Sequence, residues 1–575
     1  MGISISINTF IGMEMIILIM VKNQTIWRQI NPQLNSHPNK SLIYFLARQT
    51  CIEPILMHGL FEQGINTEER VWSFLYPSIN DLHNPFLLND MKKSVFRIIQ
   101  AMKRNETILI FGDYDLDGIS SSTLMHQCLK YFGANVSFRL PLRHEGYGIS
   151  PKAIEEISNL GVSLIITVDN GSSAHEAMRM AKEKGIDVIV TDHHEILGEF
   201  PNCYAFINPK RFDNTYPYTN LSGAGVAFKL VQALFQATSN LSWEKHFHDY
   251  IEMATLGTIA DLMPLEGENR VICSLGLCKM NNDPSQVLKK LFGLLNLSYV
   301  DSTKIGFQIA PIFNSVGRID DPNKATKLLT NTDTSEEELK ELIAINRKRQ
   351  SLTTEQYQQA EQDILKNGWD NEKIIVVHGE FHNGIIGIIA ARVAENFHKP
   401  TIVISQSGTG SARTVQGSNF SIINPIKQCS QYLKKYGGHQ GAAGLSIDLE
   451  KIDLFRKAVQ LAIMNDSEIK PMIQYTNQFD LMKFPVELFK DLVALEPFGI
   501  GNPKPIFHCP PTQQLSNFEL FGNNKEHVKL TINKKKLLAF SKGHHFKKQW
   551  TTLEFLYTPN CWKEKNFLIN DLRIF

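Results

Sequence analysis

Paired cysteines, a long apolar run and a surplus of either charge are all absent from this chain of 575 residues. Its eight cysteines include no Cys-x-x-Cys pair, which excludes a zinc-ribbon site or a disulfide framework and indicates a reducing, cytoplasmic compartment. The formal net charge of +1 gives no overall field that would attract a polyanion, so any nucleic-acid site has to be locally basic.

The longest apolar segment near the start, GMEMIILIMV at residues 12–21, contains Glu14 and is shorter than the roughly 20 residues that span a bilayer. It also lacks the basic start and the small-residue cleavage site of a signal peptide. We therefore expect a soluble protein with no membrane segment, in which residues 1–19 form an extension.

The chain does contain several changes of pattern, and its length exceeds what one hydrophobic core supports. Short apolar runs alternate with helical stretches from residue 107 to about 210, which predicts a parallel sheet covered by helices. The charged, proline-free sequence of residues 335–368 predicts one long helix or a helical hairpin between two lobes. A second α/β lobe follows, and the short alternating runs after about residue 470 predict a small antiparallel barrel.

Three carboxylates, Asp113, Asp115 and Asp117, follow the first predicted strand in GDYDLDG. Aspartates at alternate positions repel one another unless a cation lies between them, and hard oxygen ligands suit Mg²⁺ or Mn²⁺. The alternative is an acidic turn whose charges point into water, and this stretch alone favours neither interpretation.

Further acidic and imidazole groups follow the later strands. Asp169 ends LIITVDNG, the group Asp192, His193 and His194 ends DVIVTDHHE, and Asp261 follows the helical run ATLGTIAD. Taken singly, these residues are explained as a turn, a helix cap and a helix end. Because ligands bind at the carboxyl ends of parallel strands, the combination instead predicts a centre for two divalent ions with mixed Asp and His ligands.

The motifs GDYDLDG, VDNG, TDHHE and LGTIADLMPL resemble the four motifs of the DHH phosphoesterase superfamily. FHNGIIGIIAARV, GSARTVQG and YGGHQGAAGLS are similar to its DHHA1 domain, and LEPFGIGNPKPIF with HVKLTI resembles the OB-type domain of the RecJ exonucleases. The resemblance implies an α/β protein with the following domains: an N-terminal extension and helical segment (1–72), a parallel-sheet DHH domain (73–333), a long connecting helix (334–368), a second α/β lobe of DHHA1 type (369–465) and a C-terminal OB-like β-barrel (466–575).

This resemblance implies a 5′→3′ exonuclease that hydrolyses single-stranded DNA to 5′-mononucleotides with two divalent metal ions, Mn²⁺ or Mg²⁺. The implied catalytic residues are Asp115, Asp117, Asp169, His193, His194 and Asp261. Asp169 would bridge the two ions, with Asp113 and Asp115 completing one and Asp117, His193 and Asp261 the other. His194 would face the substrate phosphate, and Asp192 would orient an imidazole or a water from behind the ligands.

A 5′ exonuclease also has to bind phosphate, for which arginine is suited by its planar fork of donors. The candidate residues for phosphate and DNA binding are Arg143, Arg318, Ser411, Arg413 and His439. A surface salt bridge is the alternative fate of each arginine. The segment APIFNSVGR departs from the family pattern because Ile312 stands where an arginine is usual, which puts phosphate binding there in doubt.

Two other functions remain open at this point. One is a DHH phosphoesterase for small substrates such as pyrophosphate, pAp, nano-RNA or cyclic dinucleotides, and the other is an inactive nucleic-acid-binding scaffold. The expected partner is single-stranded DNA, supplied by a helicase and a single-strand-binding protein, and the expected state is a cytoplasmic monomer.

Overall fold

The computed structural model describes residues 25–31, 34–196, 198–238, 242–331, 333–464, 469–485, 487–512, 517–522, 524–543, 546, 552–560 and 565–574. The predicted extension of residues 1–19 lies outside these ranges. No helix within them is both long and apolar enough to cross a membrane.

The first domain is built on a parallel sheet of five strands. In spatial order they are Val136–Arg139, Ile108–Phe111, Leu164–Val168, Asp187–Thr191 and Ala205–Ile207. The chain leaves Ile108–Phe111 towards one edge and returns to Leu164–Val168 on its other side, so the strand order reverses between these two strands. Such a switch point is where open α/β sheets bind their ligands.

Helices cover both faces of this sheet. They are Met91–Lys103, Leu116–Tyr131, Pro151–Ser158, His175–Glu183, Gly223–Ala237, Trp243–Ala260, Gly267–Asn282, Gln286–Leu294, Ser302–Lys304, Ala310–Ile319 and Asn323–Thr330, with a π-helical turn at Ile305–Ile309. The strands Ile108–Phe111 and Leu164–Val168 are buried throughout, because one face packs in a large helical core and the other under Pro151–Ser158 and His175–Glu183.

The connecting segment is a single helix, Glu336–Lys366, and not a hairpin. Its start is fixed by a capping box in which Ser335 and Glu338 bond each other's backbone amides. The connecting helix packs against Ala310–Ile319 of the first domain and Ile386–Phe397 of the second lobe.

The second lobe is a five-stranded mixed sheet. Its strands, in spatial order, are Leu433–Gly438, Ala442–Ile447, Thr409–Arg413, Thr401–Ser405 and Ile375–Gly379, and its helices are Ile386–Phe397, Ile423–Gln428 and Ile452–Ala462. Only Ile375–Gly379 and Thr401–Ser405 pair in parallel.

The C-terminal domain contains a seven-stranded sheet. In spatial order its strands are Asn477–Gln478, Phe507–Thr512, Leu553–Asn560, Asn566–Ile574, Lys535–Ala539, His527–Ile532 and Asn517–Phe521, with a helix at Leu488–Ala494. Four of these pairings are antiparallel, as predicted, and two are parallel. Among the described strands the pairing order is linear, so the sheet is seen but its closure into a barrel is not.

The N-terminal helices pack with this C-terminal domain. Lys40–Thr50, Pro54–Glu62 and Glu68–Leu75 share one hydrophobic core with its strands. The strand Ile26–Gln29 also pairs in parallel with Met472–Tyr475.

Candidate metal centre and phosphate site

The turn after Ile108–Phe111 brings its three aspartates together. Asp115 caps the helix Leu116–Tyr131, because its Oδ1 accepts from the amides of Asp117 at 3.1 Å and Gly118 at 3.2 Å. A Cβ at position 118 would come within 2.5 Å of the carbonyl oxygen of Asp113. Glycine therefore lets the turn close so tightly that Asp113 and Asp117 both lie beside the cap.

Asp117 is oriented by the start of another helix, Gly223–Ala237. Its two carboxylate oxygens accept from the amides of Gly223 at 2.7 Å and Ala224 at 2.8 Å. Amides at a helix N-terminus stabilise negative charge. These two bonds orient the carboxylate but place no full positive charge beside it.

Asp169, at the end of Leu164–Val168, has a left-handed backbone with φ of 62°. A residue other than glycine rarely adopts this conformation, and such residues concentrate at functional sites. Its amide donates to the carbonyl of Thr191 at 3.0 Å, and its carbonyl accepts from the hydroxyl of Tyr147 at 3.0 Å. The buried side chain is thereby directed at the other carboxylates.

The structure gathers the six predicted metal ligands into two groups that meet at Asp169 and His193. Asp113, Asp115 and Asp169 form one group, and Asp117, His193 and Asp261 form the other, each with one donor atom per residue within 4.8 Å of the rest. Between the groups, His193 Nε2 lies 3.1 Å from Asp169 Oδ1.

These side chains crowd like charges in a buried place. Burial, followed by repulsion from the neighbouring carboxylates, raises the pKa of Asp117 to about 7 and of Asp261 to about 8. The same causes raise the pKa of Asp113 and Asp169 well above their usual value. The raised pKa values indicate that the protein's own cations do not compensate the charges of these carboxylates.

The donor atoms fit divalent cations. Asp113 Oδ1, Asp169 Oδ1 and both ring nitrogens of His193 are buried and have no hydrogen-bond partner among the described residues. Burial, then the charge of His194, lowers the pKa of His193 to about 3, so its ring is neutral with a free lone pair. Carboxylate oxygens with one imidazole are ligands that Mn²⁺ and Mg²⁺ accept.

Asp192 lies behind this cluster, and its oxygens are already occupied. Oδ2 accepts from the amide of Ser172 at 2.9 Å, while Oδ1 accepts from the amide of His193 at 2.7 Å and from His194 Nδ1 at 2.8 Å. Burial opposes ionisation, but the bond from His194 and the charge of that ring outweigh it and lower the pKa of Asp192.

His194 is the exposed member of the pair, with 44% of its side chain accessible. Its own burial lowers the pKa, but the bond to Asp192 and the surrounding carboxylates raise it to about 9. The ring is thus a cation at neutral pH and is open to solvent, with the hydroxyl of Tyr147 3.2 Å from its Nε2.

The candidate phosphate-binding residues lie on both lobes. Arg318 Nη1 donates to the carbonyl of Gly384 at 3.1 Å, which joins the first domain to the second lobe. Arg413 Nη1 donates to Ser411 Oγ at 3.0 Å, and a Cβ at Gly387 would come within 2.9 Å of Arg413 Nη2. Ser411 and Arg413 therefore lie against the first turn of Ile386–Phe397.

The remaining two candidates are less enclosed. The guanidinium carbon of Arg143 lies 4.5 Å from the ring centroid of Tyr114. Tyr114 stands between Asp113 and Asp115 in the sequence. His439 is exposed in a turn, where its Nδ1 accepts from the amide of Gly441 at 3.2 Å.

Ile312, which departs from the family pattern, lies in the core of the first domain. Its side chain is 2% exposed and belongs to the hydrophobic core of the first domain. Position 312 therefore lies on the core side of the helix Ala310–Ile319, whereas Arg318 lies at the interface of the lobes.

Sequence reasoning missed three supporting residues. Tyr147 contacts both Asp169 and His194, and Asn314 Oδ1 accepts from the amide of Leu116 at 2.7 Å. Asn208 Nδ2 donates to Ser172 Oγ and to the carbonyl of His194, both at 3.0 Å. Asn208 follows the strand Ala205–Ile207, so the rule that located the aspartates also applied to it.

Comparison with known proteins identifies three family profiles along the chain. Residues 107–258 match the DHH family N-terminal domain, residues 371–465 the DHHA1 domain, and residues 477–568 the RecJ OB domain.

Several curated relatives carry the description single-stranded-DNA-specific exonuclease RecJ. The Bacillus subtilis protein is 34% identical over 88% of this chain and 65% of its own length. The Dickeya dadantii protein is 30% identical over 79% of this chain and 83% of its own length. The Escherichia coli protein is 30% identical over 73% of this chain and 78% of its own length.

Among solved structures, the chain is similar to RecJ of Thermus thermophilus in complex with Mn²⁺. The two superpose with a TM-score of 0.81 at 25% identity, covering 96% of this chain and 79% of the other.

Proposed function

The chain belongs to the RecJ family of single-stranded-DNA-specific exonucleases, and from this premise we propose that it removes nucleotides from the 5′ end of single-stranded DNA by hydrolysing phosphodiester bonds. The observation that carries the proposal is the pair of buried Asp/His groups joined at Asp169 and His193. Two adjacent cation sites suit the in-line displacement by which phosphodiesters are hydrolysed.

The cofactors are divalent metal ions, for which Mn²⁺ and Mg²⁺ both fit the donors. Asp113, Asp115 and Asp169 would bind one ion, and Asp117, His193 and Asp261 the other, with Asp169 between them. When bound, such ions supply an activated water and stabilise charge on the leaving oxygen.

The protein's own residues orient these groups and the substrate. The helix start at Gly223 and Ala224 fixes the direction of Asp117. The bond from His194 Nδ1 to Asp192 keeps the His194 ring protonated and fixes its orientation. The exposed imidazolium attracts the scissile phosphate. Tyr147 restricts both His194 and the backbone of Asp169.

Arg143, Arg318, Ser411, Arg413 and His439 bind phosphate groups of the strand in this proposal. The C-terminal domain, which matches the RecJ OB profile, binds the strand on its way to the centre. The enzyme acts as a cytoplasmic monomer on DNA that a helicase and a single-strand-binding protein supply.

The test uses 5′-labelled single-stranded DNA with Mn²⁺ or Mg²⁺, and compares the wild type with Asp169→Ala. We expect labelled mononucleotides from the wild type, and a loss to background in the variant, because it removes the carboxylate that lies where the two groups meet. Asp249→Ala alters an exposed carboxylate of the same domain and should remain fully active.

Two outcomes would redirect the assignment. Turnover of pyrophosphate, pAp or dinucleotides without release from DNA would indicate a small-substrate phosphoesterase. Binding of DNA with no hydrolysis of any of these substrates would indicate an inactive scaffold.

A further inference from the structure

Leu262 follows the helix Trp243–Ala260 with a backbone conformation that leucine rarely adopts. The helix ends in a Schellman motif, because the amide of Leu262 donates to the carbonyl of Ile259 at 3.2 Å. The amide of Met263 donates to the carbonyl of Thr258 at the same distance. This motif holds Leu262 in the left-handed region, with φ of 56°, where glycine is usual because a side chain is strained there.

Leu262 is the only aliphatic residue with a positive φ among the described residues of the chain. In the first domain the other residues of this kind, apart from glycine, are aspartates and asparagines, whose short polar side chains tolerate the conformation: Asp90, Asn105, Asp169 and Asn296. The side chain of Leu262 is 67% exposed, so apolar burial does not offset the strain. Exposed leucines are common, but one that is held in a strained conformation beside a functional site indicates a role there.

Leu262 lies at an open side of the candidate metal centre. Its neighbour Asp261 has 32% of its side chain accessible, whereas the side chains of Asp117 and His193 in the same group are 1% and 6% accessible. Asp261 Oδ2 lies 3.6 Å from His193 Nε2. A substrate that reaches these ligands through the opening at Asp261 therefore meets Leu262.

A loop of the C-terminal domain lies against the turn that follows Asp261. The amide of Leu265 donates to the carbonyl of Ile500 at 2.6 Å, and a Cβ at Gly499 would come within 2.7 Å of Leu265 Cδ1. The amides of Gly499 and Asn502 each donate to the carbonyl of the other, and Asn502 Nδ2 bonds two further carbonyls of the C-terminal domain. These bonds fix the loop and present Ile500, whose side chain is 55% exposed.

The exposed side chains of Leu262 and Ile500 suit the faces of unpaired nucleobases. Neither side chain forms hydrogen bonds, so such a contact would not depend on the identity of the base. In single-stranded DNA the bases expose faces that pack on protein side chains, whatever the sequence, whereas in a duplex they are paired and stacked on one another. An apolar contact beside the metal centre therefore favours an unpaired strand.

We propose that Leu262 and Ile500 pack against the nucleobases of the strand on the 3′ side of the scissile phosphodiester. This inference rests on the proposed function, in which the 5′ nucleotide occupies the metal centre and the rest of the strand extends towards the C-terminal domain. The loop of Ile500 belongs to that domain, so Leu262 is the contact nearer the ions and Ile500 lies beyond it. The contact makes part of the preference for single strands independent of charge.

The experiment measures kcat and KM on one oligonucleotide that is prepared either intact or with abasic second and third nucleotides. We expect Leu262→Gly to raise KM about fivefold for the intact strand and to leave KM for the abasic strand unchanged, because the base that Leu262 contacts is missing there. Ile500→Ala should act likewise but more weakly. Leu262→Met keeps an apolar side chain of similar volume, and Leu160→Ala alters an equally exposed leucine of the same domain. Both of these variants should match the wild type on both strands.

Thermal unfolding separates this role from a structural one. Glycine is the preferred residue at the left-handed end of a helix, so Leu262→Gly should melt at the temperature of the wild type or above it while its KM rises. An unchanged KM for the intact strand, or an equal rise in KM on both strands, would overturn the contact with the bases. If Leu262→Gly does not fold, Leu262→Asn, which tolerates the same backbone, decides the question by the same ratio.

Binding of fluorescent intact and abasic strands without metal makes the test independent of hydrolysis. The wild type should bind the intact strand about fivefold more tightly than the abasic strand, and Leu262→Gly should lose most of this difference. Equal binding of the two strands by the wild type would contradict the contact with the bases. A wild type that releases no nucleotides from DNA would instead contradict the proposed function.

Discussion

The carboxylates of the candidate metal centre differ from ordinary surface aspartates because they are buried or partly buried and lie beside others of the same charge. Asp117 and Asp261 consequently have pKa values of about 7 and 8, and His194 has a pKa of about 9. All three values are raised above those of the unfolded chain. Each group therefore binds its proton more tightly when the protein is folded, and its contribution to stability is lost as pH rises through the folded-state pKa.

We predict that the metal-free protein melts at progressively lower temperature as the pH is raised from about 6.5 to 8.5, the interval set by these shifts. His193 does not oppose this trend, because its pKa of about 3 leaves it neutral in the folded state and the unfolded value is about 6.5. Thermal unfolding in a chelator at several pH values measures the effect.

Two comparisons test the cause of this pH dependence. Saturating Mn²⁺ should raise the melting temperature more at pH 8.5 than at pH 6.5, because the ions replace protons. Asp261→Asn should flatten the metal-free profile. A metal-free protein whose melting temperature is constant or rises over this interval would contradict the argument.

Among the elements, the parallel strands and the helical run that precedes Asp261 were predictable, but the packing of the helix Gly223–Ala237 against the site was not. Strand ends share one edge of a sheet, so GDYDLDG, VDNG and TDHHE could be assigned to one place from their order alone. The contact of Asp117 with the start of Gly223–Ala237 depends on how that helix packs, and no local pattern encodes it.

Gly223 tests the importance of that helix start. A Cβ there would lie 2.5 Å from Asp169 Cβ and 2.6 Å from its Oδ1, which is closer than packed atoms approach. We predict that Gly223→Ala displaces the Asp169 carboxylate and lowers kcat about 100-fold or more, as misplaced catalytic groups do. Steady-state kinetics on single-stranded DNA measures the loss, and circular dichroism should show a retained fold.

Gly293 is the matched control, because it lies in the helix Gln286–Leu294 and a Cβ there meets nothing within 4 Å. Gly293→Ala should leave kcat unchanged and stabilise the helix by up to about 1 kcal/mol. Full activity of Gly223→Ala would show that the centre tolerates a shift of Asp169.

At the scale of the whole molecule, the two ends of the described chain form one unit. Ile43 and Val71 share a core with Phe484 and Phe507, although more than 400 positions separate them. Periodicity reveals that each segment has an apolar face but not which face it meets, so the sequence indicated the N-terminal helices without indicating their partner.

Buried Arg270 of the first domain contributes three hydrogen bonds to its contact with this terminal unit. Arg270 is 3% exposed and donates to the carbonyls of Phe74 at 2.8 Å, Leu495 at 3.2 Å and Glu496 at 2.9 Å. Arg270→Met would keep much of the volume but leave the carbonyls of Phe74 and Glu496 without this donor, whereas the carbonyl of Leu495 keeps its bond from Asn502 Nδ2 at 2.8 Å. We therefore predict a loss of about 3 kcal/mol in the free energy of unfolding. Calorimetry should then resolve separate transitions for the first domain and the terminal unit, and proteases should cleave between them. Arg179→Ala, which removes an exposed pair with Glu183, should change neither measurement. A single unshifted transition in Arg270→Met would show that the two parts stay joined without Arg270, through contacts such as the bond from Ser302 Oγ to the carbonyl of Phe498.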